Sequence, residues 1–273
     1  MIAQKPYLLL FLIFIFGFFL RIYKLDSHSS FIDEKSSVSC ATGIPHAGLT
    51  VIKNIQWQDI GFHDNRVFTS RDFWRYNFPS AVLAGSIHSH GYFITLHYWI
   101  KIFGTSDYAV RFLSVIFSCL VILGIYFLTN GIFNSSRIAL LASVFAALNP
   151  LFVELGQYTR SHTMAAFFTV SATYFFFKLF IQQSKNIFYL TGYVLATVIS
   201  VFCHFYSAYI FLGHGLIMLL FVREKKTWYN YFLANTVVII LIAAWLMNGG
   251  WEEVKIINSV DSDFQRAAQN WKD

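Results

Sequence analysis

The composition excludes a soluble globular domain. The chain has 273 residues, of which 56% are hydrophobic and 19% aromatic, whereas only 12% are charged, about half of the roughly 25% that is usual in soluble domains. The net charge is +6, but the basic residues are scattered between apolar runs, which excludes a nucleic-acid partner. We therefore predict an all-α polytopic membrane protein.

Seven apolar runs are candidates for transmembrane helices, because a helix needs about 20 apolar residues to cross the hydrocarbon core. In chain order they are 7–22, 108–129, 138–152, 163–181, 187–203, 205–222 and 231–247. The first is predicted to be a retained helix and not a signal peptide, because no small-residue cleavage site follows it. The third is the weakest, since Asn149 and Pro150 end it early.

The basic residues of the short loops predict the orientation. If the N-terminus is cytoplasmic, Glu224 is the only acidic residue that opposes the basic residues on the cytoplasmic side. These basic residues are Lys5, Arg137, Lys178, Lys185, Arg223, Lys225 and Lys226. We therefore predict a multi-pass plasma (inner) membrane protein with a transmembrane domain over 1–248. The long loop 26–107 and the polar tail 249–273 are predicted to be exoplasmic.

The segment 90–104, HGYFITLHYWIKIFG, interrupts that long loop. It is apolar and aromatic, but it is too short and too polar to cross the membrane readily. Counting it as a transmembrane helix would also move every later loop to the opposite side of the membrane and contradict the charge rule. We predict a helix lying in the membrane interface, with Tyr92, Tyr98 and Trp99 at the depth of the headgroups.

Polar residues collect at the predicted exoplasmic ends of the helices. Asp33 and Glu34 follow the first helix, and the long loop holds six of the nine histidines. The other polar residues at this depth are Arg111, Gln157, Arg160 and His204. Ionisable groups at membrane depth are functional candidates by default.

Each of these residues also has a structural interpretation. The acidic pair could be a helix N-terminus capped by Ser29 or Ser30, and both arginines could snorkel to the interface. His88, His90 and His97 form only a weak metal-binding pattern. These alternatives remain open from the residues alone.

The order of the motifs resembles that of the bacterial membrane glycosyltransferases of the C-type superfamily (GT-C). Within that superfamily, the chain is similar to the protein O-mannosyltransferases and the aminoarabinose transferase of lipid A. The motifs that carry it are the acidic pair, His88 before an aromatic stretch ending in FG, FGTSDYAVRFLSV, NPLFVELGQYTRSHT and CHFYSAYIFL. Two prolines of the family pattern are replaced by Ser89 and His90, its glutamate by Tyr158 and a tyrosine by His162.

The resemblance implies a function. Such enzymes move a sugar from a polyprenyl-phosphate carrier to a lipid, glycan or protein acceptor on the exoplasmic face, with inversion. It implies that Asp33 is the general base and that Glu34 supports it or positions the acceptor. The residues it assigns to the donor phosphate or sugar are His88, Arg111, Gln157, Arg160 and His204. No cofactor is required, although a divalent metal remains an open alternative.

Two other functions compete with this one. A polytopic transporter should carry charges near mid-bilayer, broken helices and repeat symmetry, whereas the charges here lie at helix ends and no repeat is visible. A catalytically inactive scaffold or binding protein could share the fold. The retention of Asp33 and both arginines argues against that alternative, and Tyr158 argues for it.

Overall fold

The computed structural model describes residues 5–27, 30, 32–42 and 91–247, and in these residues all regular secondary structure is helical. The α-helices of this part are α1 Pro6–Ile22, α2 Ile32–Thr42, α3 Gly91–Phe103, α4 Asp107–Phe133, α5 Ser136–Leu148, α6 Pro150–Gly156, α7 His162–Phe176, α8 Ile187–Cys203, α9 Ile210–Phe221 and α10 Lys225–Trp245. A π-helical turn, Phe177–Ile181, extends α7, and a 3-10 helix, Phe205–Tyr209, precedes α9.

The predicted all-α membrane fold is confirmed. Three described helices are long and apolar enough to cross a bilayer: Asp107–Phe133, His162–Ile181 and Lys225–Trp245. The pair α5 and α6 adds a fourth if the two helices form one bent span. Pro6–Ile22, Ile187–Cys203 and Phe205–Phe221 are shorter apolar helices. These segments coincide with the seven predicted runs, but the count of seven crossings stays a prediction.

The weak point predicted in the third run is a sharp bend. Asn149 ends α5 and begins α6, where its side-chain Oδ1 accepts a hydrogen bond from the Phe152 amide at 3.2 Å. Pro150 occupies the first position of α6, where its missing N–H costs no intrahelical bond. The two helices are therefore bent by 58° relative to each other.

Helix α4 lies at the centre of the bundle. It packs against α1, α3, α5, α6 and α7, while α8 lies between α7 and α10. Close approach depends on small residues, as is common between membrane helices. A Cβ on Gly17 would lie only 2.6 Å from the Ile122 side chain, and one on Gly91 would lie 3.0 Å from the backbone of Phe202.

The helix predicted over 90–104 is present as α3, Gly91–Phe103. Tyr92, which was expected at headgroup depth, is completely buried within the protein, and its hydroxyl lies 3.1 Å from Ser114 Oγ. The reason is that α2, α4 and α8 pack against α3, so its apolar stripe faces protein. The Trp99 indole donates to the Ala109 carbonyl at 2.8 Å. The depth of α3 in the membrane stays a prediction.

Several elements meet at one end of the bundle. These are the C-terminal ends of α1 and α8, the N-terminal ends of α2, α4 and α7, and the segment 157–161 that joins α6 to α7. Every predicted site residue that the structure describes lies at this end. His88 and the tail 249–273 lie outside the described residues.

Candidate active site

The two carboxylates of the acidic pair at the start of α2 point in different directions. Asp33 and Glu34 both lie in its first turn, where negative charge is favourable to the helix dipole. Successive residues of an α-helix point about 100° apart, so the two carboxylates face different surroundings. The Glu34 side chain is only 3% exposed, whereas the Asp33 side chain is 51% exposed.

Glu34 forms a buried ion pair with Arg111. The Arg111 Nε and Nη2 atoms donate to the two Glu34 carboxylate oxygens at 2.9 and 3.0 Å, which is the strong bidentate geometry. Arg111 Nη1 also donates to the Leu25 carbonyl at 2.7 Å, and the Thr159 amide donates to Glu34 Oε1 at 3.0 Å. This pair therefore joins the chain after α1, helices α2 and α4, and the segment before α7.

Asp33 faces the second arginine. Arg160 Nη2 lies 3.5 Å from Asp33 Oδ2, and Arg160 Nη1 donates to the Asp33 backbone carbonyl at 3.3 Å. Unlike Arg111, the Arg160 side chain is partly accessible, with 16% of its surface exposed. A half-exposed carboxylate beside an accessible guanidinium can take a proton from a hydroxyl while the guanidinium binds an anion.

Two histidines lie next to this pair. The ring centroids of His162, at the start of α7, and His204, after α8, are 5.2 Å apart. His162 is within electrostatic range of both Arg160 and Asp33. Burial, followed by the charge of Arg160, holds the pKa of His204 below its usual value. The neutral form of the His204 ring is therefore favoured in the unliganded protein.

A groove of about 340 Å³ begins at the two histidines. One wall is a face of α7, and the other is the turn that follows α8. The lining residues are His162, Ala165, Ala166, Thr169, Val170, His204, Tyr206 and Ser207. The spacing of the α7 residues places them on one side of that helix. The groove is thus polar at the histidines and mostly apolar along α7.

Gln157 has a different position from the other candidates. Its side-chain amide donates to the carbonyls of Leu20, Arg21 and Tyr23 at 3.4, 3.2 and 3.1 Å. These carbonyls belong to the last turn of α1 and to its C-cap residue Tyr23, and such C-terminal groups need partners from outside the helix. Gln157 therefore fastens the segment before α7 to the end of α1.

Within the described residues, no three His, Cys, Asp or Glu side chains converge on a point that could hold a metal ion. His97, part of the weak metal pattern in the sequence, lies in α3. Its Nδ1 lies 2.7 Å from the Ala41 carbonyl of α2. His88 and His90, the other members of that pattern, lie outside the described residues.

Neither His162 nor Arg21 was predicted from the sequence as a site residue. His162 was noted only as a departure from the family pattern, and its place beside His204 depends on how α7 packs against α8. Arg21 is fully buried and donates to Ser118 Oγ at 2.6 Å, to the Ala147 carbonyl at 3.2 Å and to the Ala146 carbonyl at 3.3 Å. An arginine at the end of an apolar run was the available signal for a buried role.

Comparison with known proteins identifies the family of the chain. The family model described as dolichyl-phosphate-mannose-protein mannosyltransferase matches residues 88–248, which is more than half of the chain. No curated protein matches the chain significantly. The matched region contains Arg111, Arg160 and His204, whereas Asp33 and Glu34 precede it. The chain therefore belongs to the dolichyl-phosphate-mannose-protein mannosyltransferase family, among the mannosyltransferase-like membrane glycosyltransferases of the GT-C type.

Proposed function

We propose that the protein transfers a sugar from a polyprenyl-phosphate carrier to an acceptor hydroxyl by a single inverting displacement. The observation that carries this proposal is the Asp33–Arg160 pair, with 3.5 Å between Oδ2 and Nη2, beside the groove that begins at two histidines. Base, anion-binding group and apolar groove are thus adjacent at one end of the bundle. By the charge rule for loops, we place this end on the exoplasmic face, with the N-terminus in the cytoplasm.

Asp33 is the general base in this mechanism. The acceptor oxygen attacks the anomeric carbon from the face opposite the phosphate, and its proton passes to the Asp33 carboxylate. The bond between the anomeric carbon and the phosphate oxygen breaks, and its electron pair leaves with the polyprenyl phosphate. One displacement of this kind inverts the anomeric centre. A correctly placed base contributes roughly 10²–10⁴-fold to the rate.

Arg160 is the better candidate for the charge that develops on the leaving phosphate. Its guanidinium is partly accessible and lies next to Asp33, and guanidinium groups bind phosphate oxygens through paired N–H donors. Arg111 was expected to share this role from the sequence. Since its buried guanidinium donates to Glu34 and Leu25, we propose that Arg111 and Glu34 position Asp33 and Arg160.

The apolar part of the groove suits the isoprenoid tail of the carrier. Ala165, Ala166 and Val170 form its α7 wall, and Tyr206 forms part of the other wall. The polar end then receives the phosphate near Arg160 and His204, and the tail follows α7 into the hydrocarbon core. The groove thus aligns a lipid-linked donor with its phosphate at Arg160 and its anomeric carbon toward Asp33. Gln157 supports this geometry indirectly by its bonds to α1.

The test is release of polyprenyl phosphate by the reconstituted protein from a panel of polyprenyl-phosphate sugars, with a cell-envelope extract as acceptor source. We expect release by the wild type and a loss of about 10²-fold or more in Asp33→Asn. The matched control is Asp26→Asn, because Asp26 is also exposed and lies on the connection between α1 and α2; it should retain activity.

Two outcomes would reject the proposal. One is that the folded wild type consumes no donor of the panel, which would favour the transporter or scaffold alternatives. The other is that Asp33→Asn retains the wild-type rate. Analysis of the product by NMR then tests inversion, because the one-bond coupling between the anomeric carbon and its proton distinguishes the two configurations. A product with retained configuration would contradict a single displacement.

A further inference from the structure

The amino end of α7 has the properties of a phosphate site, and the following inference rests on the proposed function. We propose that His162 and His204 form this site together, that it binds the polyprenyl phosphate product more tightly than the sugar phosphodiester, and that it takes up a proton on binding. His162 stands where the family pattern has a tyrosine. The site therefore assigns a role to a residue that departs from the pattern.

The backbone at the start of α7 favours the binding of an anion. Helix α7 begins at His162 and runs for 15 residues, and its N-cap residue Ser161 makes no side-chain cap to the first turn. The first amides of a helix lack intrahelical partners and attract negative charge. Ser161 is only 2% exposed, and its Oγ has no hydrogen-bond partner among the described residues. A buried hydroxyl of this kind is expected to find a partner, and in this inference the phosphate bound next to the adjoining His162 supplies it.

The side chains supply further donors. The centroids of the two imidazole rings are 5.2 Å apart and both rings line the groove. Arg160 lies within electrostatic range of both histidines. Ser207 and Thr169 line the same groove. A phosphate at the polar end would therefore meet imidazole and guanidinium groups together, with its ester chain directed along α7.

The charges around the histidines explain why a proton should be taken up. His162 interacts with Arg160, with His204 and with Asp33 of α2, and Tyr206 lies beside His204, with 5.3 Å between ring centroids. Burial and the positive charge of Arg160 lower the pKa of His204 in the unliganded protein. A phosphate anion offsets that positive charge and stabilises an imidazolium.

The substrate and the product differ in the charge that they bring. The phosphodiester donor carries one negative charge, whereas a phosphate monoester carries about −1.5 to −2 at pH 7. When the anomeric bond breaks, the electron pair left on the phosphate oxygen creates this extra charge, and a proton from solvent, held by an imidazole, balances it. The site therefore favours the product, and release of that product becomes dependent on pH.

The test is calorimetry of farnesyl phosphate binding to the detergent-solubilised full chain at pH 7. Two buffers with different ionisation enthalpies are compared, because the difference in observed enthalpy gives the number of protons taken up. We expect the wild type to take up a substantial fraction of one proton for each farnesyl phosphate bound. His162→Gln and His204→Gln should each reduce that number and weaken binding about tenfold, as expected for a lost hydrogen bond to a charged group.

Two controls belong to this experiment. Ser207→Ala changes the groove without removing a titratable group, so its proton uptake should equal that of the wild type. Farnesyl methyl phosphate, a diester, should bind more weakly than the monoester and take up less proton. Equal enthalpies in both buffers for the wild type, or absence of farnesyl phosphate binding, would overturn the inference without any variant. So would uptake that persists in both histidine variants, because the proton would then reside on the phosphate.

The outcomes separate this site from the proposed function. Sugar transfer without proton uptake would reject the two-histidine site and leave the glycosyltransferase proposal intact. Proton-linked binding of farnesyl phosphate without any sugar transfer would support the site and reject the transfer reaction.

Discussion

Removal of Glu34 alone should destabilise the protein strongly, because Arg111 would keep a buried charge without its carboxylate partner. The two side chains are 3% and 0% exposed, and the shortest N–O distance between them is 2.9 Å. Breaking such a pair by removing one partner costs about 3–5 kcal/mol of unfolding free energy. At roughly 2–4 °C per kcal/mol for a chain of about this size, Glu34→Leu should unfold about 6–20 °C below the wild type.

The double variant Glu34→Leu/Arg111→Met provides the decisive comparison. It removes both charges, so the large electrostatic penalty disappears. What remains is the loss of the hydrogen bonds to the Leu25 carbonyl and from the Thr159 amide, which cost about 1 kcal/mol each. We therefore expect a residual loss of about 2 kcal/mol, and the double variant should be more stable than Glu34→Leu.

Thermal unfolding can be followed with a thiol-reactive fluorogenic dye. Cys119 and Cys203 are free and buried, so they react when the bundle opens, and a Cys40→Ser background removes the third thiol of the chain. A midpoint for Glu34→Leu within about 2 °C of the wild type would refute the buried ion pair. A double variant that is less stable than the single variant would refute the electrostatic reason for the loss.

Two further substitutions test the packing and the groove. Gly91→Ala should lower the unfolding free energy by about 1–3 kcal/mol in the same dye assay, because its Cβ would lie 3.0 Å from the Phe202 backbone. The control is Gly213→Ala, whose Cβ would meet nothing within 4 Å, so this variant should be neutral or stabilising. Ala166→Phe fills the groove, so we expect the rate of sugar transfer at low donor concentration to fall about tenfold. Ala142→Phe on α5, away from the groove, is its control; equal rates in both variants would contradict the placement of the carrier.

The sequence predicted the helices better than their connections. The apolar runs correspond to the helices because about 20 apolar residues leave few alternatives inside a bilayer. Asn149 and Pro150 indicated an interruption between α5 and α6. The angle of 58° between these helices depends on packing and could not be predicted. Arg21 donates to the Ala146 and Ala147 carbonyls just before this bend, and no periodicity in the sequence indicates those contacts.

What the sequence determined by itself is the class of protein and the collection of its polar groups at helix ends, because hydrophobic length and loop charge act locally along the chain. What only the tertiary structure decided is which member of each similar pair is accessible. Asp33 and Glu34 are neighbours in the sequence, yet Glu34 is buried against Arg111 while Asp33 remains half exposed beside Arg160. That choice depends on which helix packs against which face of α2, and such contacts join residues more than 70 positions apart.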